Sequence, residues 1–215
     1  MDTRALSENK LALIAYVHRL SNLFDYVIFK GPRKDLTPLR TNNSVEVRIL
    51  KWVTREYVHV DRTACPWLIK RFIDSKAEFM FVPAEEISEV VKREKAIPYD
   101  APGVELGHKR QKCSFDAFIK KYNIKDPAVL RLAEIVRAAD TDRPEDLEAP
   151  GLDAVMTGIS IAAEDDQEAI EKARPVYDAL YTFCKLRLLR EKHQTEIEQM
   201  NLKERRQFLR KKLQE

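Results

Sequence analysis

At 215 residues, with 44% hydrophobic and 34% charged side chains, the chain is long enough to bury one main core plus extensions. Its 38 basic and 35 acidic residues leave a formal charge of +3, too balanced to demand a nucleic-acid or membrane partner. With only five glycines and ten prolines, and no internal repeat, the sequence excludes a low-complexity chain or a repeat array.

Residues 1–44 read as a helical appendage. A helical pattern runs from Ser7 to Phe24, followed by a short apolar run at Tyr26–Phe29 and turn signals at Gly31–Pro32 and Thr41–Ser44. The apolar stretch Leu11–Val17 is too short for a membrane span and is flanked by Lys10 and His18–Arg19. Cys65, Cys113 and Cys184 are an odd, widely spaced set. Without an export signal they predict free thiols in a reducing cytoplasm.

From Val45 the pattern alternates, and strands are expected at Val45–Ile49, Trp52–Val53, Tyr57–Val60 and Glu78–Val82. Between the last two, a helix opening at Pro66 presents Leu68, Ile69, Phe72 and Ile73 to a core. Such a strand, helix, strand run is a crossover unit. A helix over 84–94 and a turn-rich loop over 97–107 follow.

The rest reads as helical. Ser114 caps 115–122, Asp126–Pro127 opens 128–139, and helices fit 152–163 and 167–173. Pro175 is expected to break or kink the helical run before a long helix from Val176 towards Lys212. The fold class is therefore α/β, with α+β as its neighbour: a small mixed sheet in the first half, a mostly helical second half and a long C-terminal helix. The domains expected are 1–44, 45–184 and a basic extension over 185–215.

Three stretches carry chemistry. The first is Asp61–Asp74, where a helix opening at Pro66 places Cys65 at its mouth. Orphan N–H groups and the helix dipole there would lower a thiol's pKa, with Arg62 acting in the same direction. The competing reading is a small buried hydrophobe on the apolar face.

The second runs from His108 to Asp116. An imidazole and Cys113 five residues apart suit zinc or another borderline metal, or else a solvated loop histidine. In the third, Asp140 continues the apolar stripe of Val129, Leu132, Ala133 and Val136 at a helix C-terminus, and a carboxylate there requires a cation. Arg137 and Arg143 would serve in a structural ion pair; Asp142 would end the helix or ligate from the loop. His59 reads as a plain strand residue.

The cations Lys203, Arg205, Arg206, Arg210, Lys211 and Lys212 crowd the C-terminus between leucines, which suits a solvated or self-associating helix. No aromatic interleaving or reading motif points to nucleic acid. No glycine-rich loop supports a nucleotide cofactor.

Trp52–Arg55, Asp61–Asp74, Phe79–Pro83, Pro102–Glu105, His108 with Cys113–Asp116, and Ala139–Pro144 together resemble the C-terminal domain of the ChrB-type chromate-resistance family, over about Val45 to Cys184. The resemblance implies a role in metal-oxyanion response. Full-length relatives carry a DNA-binding segment that residues 1–44 do not resemble. Carried over by position, it implies a candidate site of Arg62, Cys65, His108, Cys113, Asp140 and Asp142. With Arg143 added from the reading of the residues, the expected ligand-binding groups are Arg62, Cys65 and Arg143, and the expected ligands of a divalent metal such as zinc or iron are His108, Cys113, Asp140 and Asp142. Three functions stay open: a binder of a metal or oxyanion, a metal- or thiol-dependent enzyme, and an interaction module whose C-terminal helix self-associates.

Overall fold

The computed structural model describes residues 49–141 and 146–215. The expected appendage over 1–44, the strand over 45–49 except for its last residue, and the residues Asp142 and Arg143 lie outside them. Among the described residues, those up to His193 form one unit and Gln194–Glu215 belong to another.

The α/β class is as expected. Strand β1 (Lys51–Arg55) is the centre of a three-stranded sheet, between β2 (Glu78–Val82) and β3 (Ile97–Pro98). Both pairings are parallel, with Trp52 opposite Phe79 on one side and Ile97 on the other. Trp52, Val53 and Thr54 are all buried, so both faces of β1 are covered, as parallel strands require. Helix α1 (Val60–Phe72) is the crossover from β1 to β2. Helix α2 (Ile87–Glu94) follows a short 3₁₀ turn and packs Ile87 and Val90 on Val53.

Helices α3 (Ser114–Lys121), α4 (Pro127–Asp140), α5 (Ala149–Ala162) and α6 (Asp166–Lys192) cover the other side. They bury Trp52, Leu68, Phe115, Leu132, Met156 and Tyr177 in one cluster. Asp126 caps α4 as expected, accepting hydrogen bonds from the N–H groups of Ala128 and Val129.

Tyr57–Val60 is not a strand, and α1 does not wait for Pro66. Tyr57 takes a left-handed φ of 61°. The N–H groups of Tyr57 and Val58, which a ladder would use, both donate to the Asp166 carboxylate at 2.8 Å. The helix therefore opens at Val60, with Pro66 and Cys65 well inside it.

Of the break or kink expected at Pro175, the break does not occur. Helix α6 runs through it for 27 residues, because Ala173 and Tyr177 beside it are fully buried and packing outweighs one missing hydrogen bond. The long helix instead ends at Lys192, and two shorter ones follow, α7 (Gln194–Glu198) and α8 (Leu202–Gln214). A capping box starts α8 afresh: Asn201 accepts from the N–H of Glu204 at 3.0 Å, and Glu204 accepts from the N–H of Asn201 at 3.0 Å.

The Tyr177 hydroxyl ties α6 to the first turn of α1. It donates to the Val60 carbonyl at 2.8 Å and meets Thr63 Oγ1 at 2.8 Å. Tyr177→Phe would leave the Thr63 hydroxyl short of one partner in a dry interior. We expect it to cost about 1–2 kcal/mol in a urea unfolding titration, with an unchanged slope.

Candidate metal centre

At the N-terminus of α3, Cys113 and Asp116 form a capping box, and the first two N–H groups of the helix are capped from another helix. Asp61, in the first turn of α1, accepts from the N–H of Ser114 at 2.6 Å and from that of Phe115 at 2.9 Å. Asp61 is 1% exposed, so this carboxylate has left water entirely.

Asp100 stands beside it on the turn after β3, at a left-handed φ of 45°. Its Oδ1 accepts from Ser114 Oγ at 3.0 Å. Its Oδ2 pairs with Arg62 at 3.1 Å and with Arg55 at 3.4 Å. The loop then turns back through Gly107, where an added Cβ would stand 2.9 Å from the Ala101 carbonyl oxygen. Glycine at 107 lets the loop close and delivers His108 over the carboxylates.

His108 Nε2 lies 3.1 Å from Asp100 Oδ1, 3.2 Å from Asp61 Oδ2 and 3.3 Å from Asp140 Oδ2. Asp140 is the last residue of α4, and its Oδ2 is buried without a hydrogen-bond partner. Three carboxylates from three separate elements thus converge on one imidazole nitrogen. One N–H can donate well to only one of them, so the other oxygens are held near charge without a proton of their own.

The electrostatics follow. The hydrogen bond to Asp61, against partial burial, raises the His108 imidazole to about 9. Burial, and then the charge on Asp61, push the Asp140 carboxyl up to about 7. Burial also opposes ionisation of Asp61, but hydrogen bonds from His108 and from the N–H groups of Phe115 and Ser114 hold its carboxyl below the usual range.

Of the residues expected from sequence, His108 and Asp140 come together and Arg62 is adjacent through Asp100. Both terminal nitrogens of the Arg62 guanidinium are engaged, one by Asp100 and the other by the Tyr57 carbonyl at 2.8 Å, while its Nε is buried without a partner. Arg137 does not pair with Asp140; it holds Asp116 at 2.6 Å.

Of the two readings of Cys65, the structure fits the small buried hydrophobe and not the low-pKa thiol. Cys65 and Cys113 are both fully buried, and burial pushes both thiols well up rather than down. Cys65 lies inside α1 and faces Asp61 Oδ1 at 3.6 Å; Cys113 faces Asp116 Oδ2 at 3.7 Å. A thiolate beside a carboxylate in a dry interior meets like charge and no water. In native protein, an aromatic disulfide reagent is therefore expected to leave Cys65 and Cys113 unmodified over hours, and to modify both at once in guanidinium. Prompt modification without denaturant would contradict this.

Asp61 and Asp100 carry the site and were absent from the expected set. A signal for Asp61 existed, as an acid between apolar Val60 and the helix it opens. Asp100 gave none, sitting in a turn where acids are ordinary. His59 is the residue before α1; it contacts Asp153 at 3.3 Å and Thr157 at 3.1 Å. It lines a separate cleft of about 620 Å³ formed by residues 56–59, Phe81 and the facing ends of α5 and α6, which contains none of the four cluster residues.

No solved structure matches the chain. A curated relative, Protein ChrB of Cupriavidus metallidurans, is 30% identical over 133 residues, which is 61% of this chain. The chain spans 40% of that protein's length. Residues 52–184 match the family described as ChrB, C-terminal domain, a span that runs from Trp52 on β1 to Cys184 on α6 and contains every residue of the carboxylate and histidine cluster; the chain belongs to that family.

Proposed function

We propose that the chain acts in the chromate response associated with this family by holding a divalent first-row metal ion at Asp61, Asp100, His108 and Asp140. The observation that carries this is the convergence of three carboxylate oxygens on His108 Nε2 within 3.3 Å. A cation bound there relieves the repulsion between the carboxylates and gives Asp140 Oδ2 a partner.

Three carboxylates and one imidazole are a hard to borderline donor set. Without thiolate, it suits iron(II) or manganese(II) as well as zinc. Direct capture of an oxyanion is disfavoured by the same carboxylates, because the Arg62 charge is already paired with Asp100 and Cys65 is sealed. An oxyanion would reach the site as a ligand of the bound cation. His108 is about half exposed, so one face of such an ion meets solvent. That exposure supports metal-activated water chemistry as the second reading.

The test is elemental analysis by mass spectrometry of the untagged protein after incubation with iron(II), manganese(II) and zinc(II) in turn. Asp100→Asn and Asp140→Asn serve as comparisons. One ion per chain in the wild type and loss of it in both variants is expected. A wild type that retains none of the three ions would overturn the reading.

A further inference from the structure

The carboxyl ends of the parallel strands carry two different features. On the side of β1 and β3 they lead into the carboxylate and histidine cluster. On the side of β1 and β2 they open on the cleft beside His59, walled by residues 56–59, Phe81 and the facing ends of α5 and α6. Carboxyl ends of parallel strands are where α/β folds hold their ligands, and about 620 Å³ is the volume of a small-molecule site.

The charge of the cleft has one sign. Glu56, Glu164, Asp165 and Asp166 line it, and among the described residues no lysine or arginine does. Asp166 receives the N–H groups of Tyr57 and Val58, and Asp165 caps α6 through the N–H of Glu168 at 2.7 Å, so these two carboxylates also offset the positive end of that helix. Among the described residues, the carboxylates of Glu56 and Glu164 meet no cation. His59 is already tied to Asp153 at 3.3 Å. Lys172 on α6 is held by Glu168 at 3.1 Å and by the Ala162 carbonyl at 3.2 Å.

Tyr57 supplies an independent observation. It lines the cleft yet is 79% exposed. Its backbone is fixed from both sides, by Asp166 on its N–H and by Arg62 on its carbonyl, each at 2.8 Å. A phenol ring is thereby held in water beside carboxylates, next to the apolar side chains of Val58, Phe81 and Ile161. An inorganic cation gains little from an aromatic ring and an apolar wall. An ammonium group on a methylene stem uses all three: carboxylates for its charge, the ring for cation–π attraction and the apolar wall for the stem. Four carboxylates also exceed what one positive charge can balance.

We infer that this cleft binds a small organic cation carrying more than one ammonium group on an aliphatic stem, an aliphatic polyamine by chemical class. The site is separate from the metal cluster, none of whose residues line it.

Isothermal titration calorimetry of the full chain with spermidine tests this, with 1,8-octanediol as the uncharged probe and magnesium chloride as the inorganic one. One spermidine per chain is expected, bound more weakly as salt is added, with no binding of the diol. Tyr57→Gly, which keeps the left-handed backbone without strain, is expected to weaken binding about two- to fivefold, and Tyr57→Phe to leave it unchanged. Glu164→Gln is expected to cost about the same factor as Tyr57→Gly. Both positions are open to solvent, so circular dichroism should not change. Asp140→Asn, outside the cleft, is expected to bind as the wild type does. Absence of binding at about 1 mM spermidine would overturn the inference. So would an affinity unchanged in either Tyr57→Gly or Glu164→Gln, magnesium binding as tightly as spermidine, or loss of spermidine in Asp140→Asn, which would move the polyamine to the metal cluster.

Discussion

Asp61→Ala is expected to lower the melting temperature by roughly 6–20 °C, corresponding to about 3–5 kcal/mol for removing one member of a buried charged network. The reason is the number of groups this one carboxylate satisfies. It accepts the first two N–H groups of α3, the Cys65 thiol and the His108 imidazole, at 1% exposure. Alanine leaves both N–H groups dry and unpaired, where each costs the desolvation it can no longer recover. Asp61→Asn keeps an acceptor oxygen for the α3 N–H groups and loses the charge, so a smaller loss is expected.

The pH dependence separates the two roles. Because the folded carboxyl of Asp61 is held below its unfolded value, its contribution is present above about pH 4 and is lost as pH falls through the folded pKa. Wild type and Asp61→Asn should therefore differ most near neutrality and converge in acid, as followed by thermal melts across pH. Equal stability of the two at neutral pH would show that the carboxylate is dispensable to the fold.

The elements that were legible in the sequence are those set by local chemistry. Asp126–Pro127 opened α4 as its residue types require, and the apolar stripe of α4 carried Asp140 into the interior at its end. The β1–α1–β2 crossover was visible as a pattern but misplaced in its first strand and helix start. The carboxylate of Asp166, more than 100 residues away, decided that segment. No window of neighbouring residues contains that partner.

The same distance in sequence explains the site. Asp61, Asp100, His108 and Asp140 come from a helix start, a turn, a loop and a helix end. Only Asp140 announced a need for a partner, through its place on a core-facing stripe. The thiols misled for a local reason. The mouth-of-helix argument for Cys65 depended on Pro66 being the first turn, and once α1 opened at Val60 the argument lost its premise. Cys113 does stand at a helix N-terminus, but Asp61 from α1 and its own Asp116 already occupy that positive end.

If the cluster holds a metal ion, uptake must release protons, and the slope of affinity against pH reveals which groups yield them. In the free protein the His108 imidazole, raised to about 9, is charged at neutral pH, and a metal can bind its nitrogen only after that proton leaves. Between about pH 9 and pH 7 the apparent affinity is therefore expected to fall about tenfold per unit as pH drops. Asp140, raised to about 7, takes up a second proton below that point. There the slope should steepen towards a hundredfold per unit. Competition against a chromophoric chelator from about pH 6 to pH 9 measures this. Asp140→Asn should bind more weakly throughout and lose only the steep acid limb, while His108→Gln should lose the limb between pH 7 and pH 9. Without metal, both folded pKa values lie above their unfolded ones, so the contribution of His108 and Asp140 to stability declines as pH rises from about 4 to about 9, opposite in sign to that of Asp61. Bound metal reverses that trend, because it stabilises the deprotonated site and binds more tightly as pH rises. An affinity that stays flat across the whole range would remove His108 and Asp140 from the ligand set together.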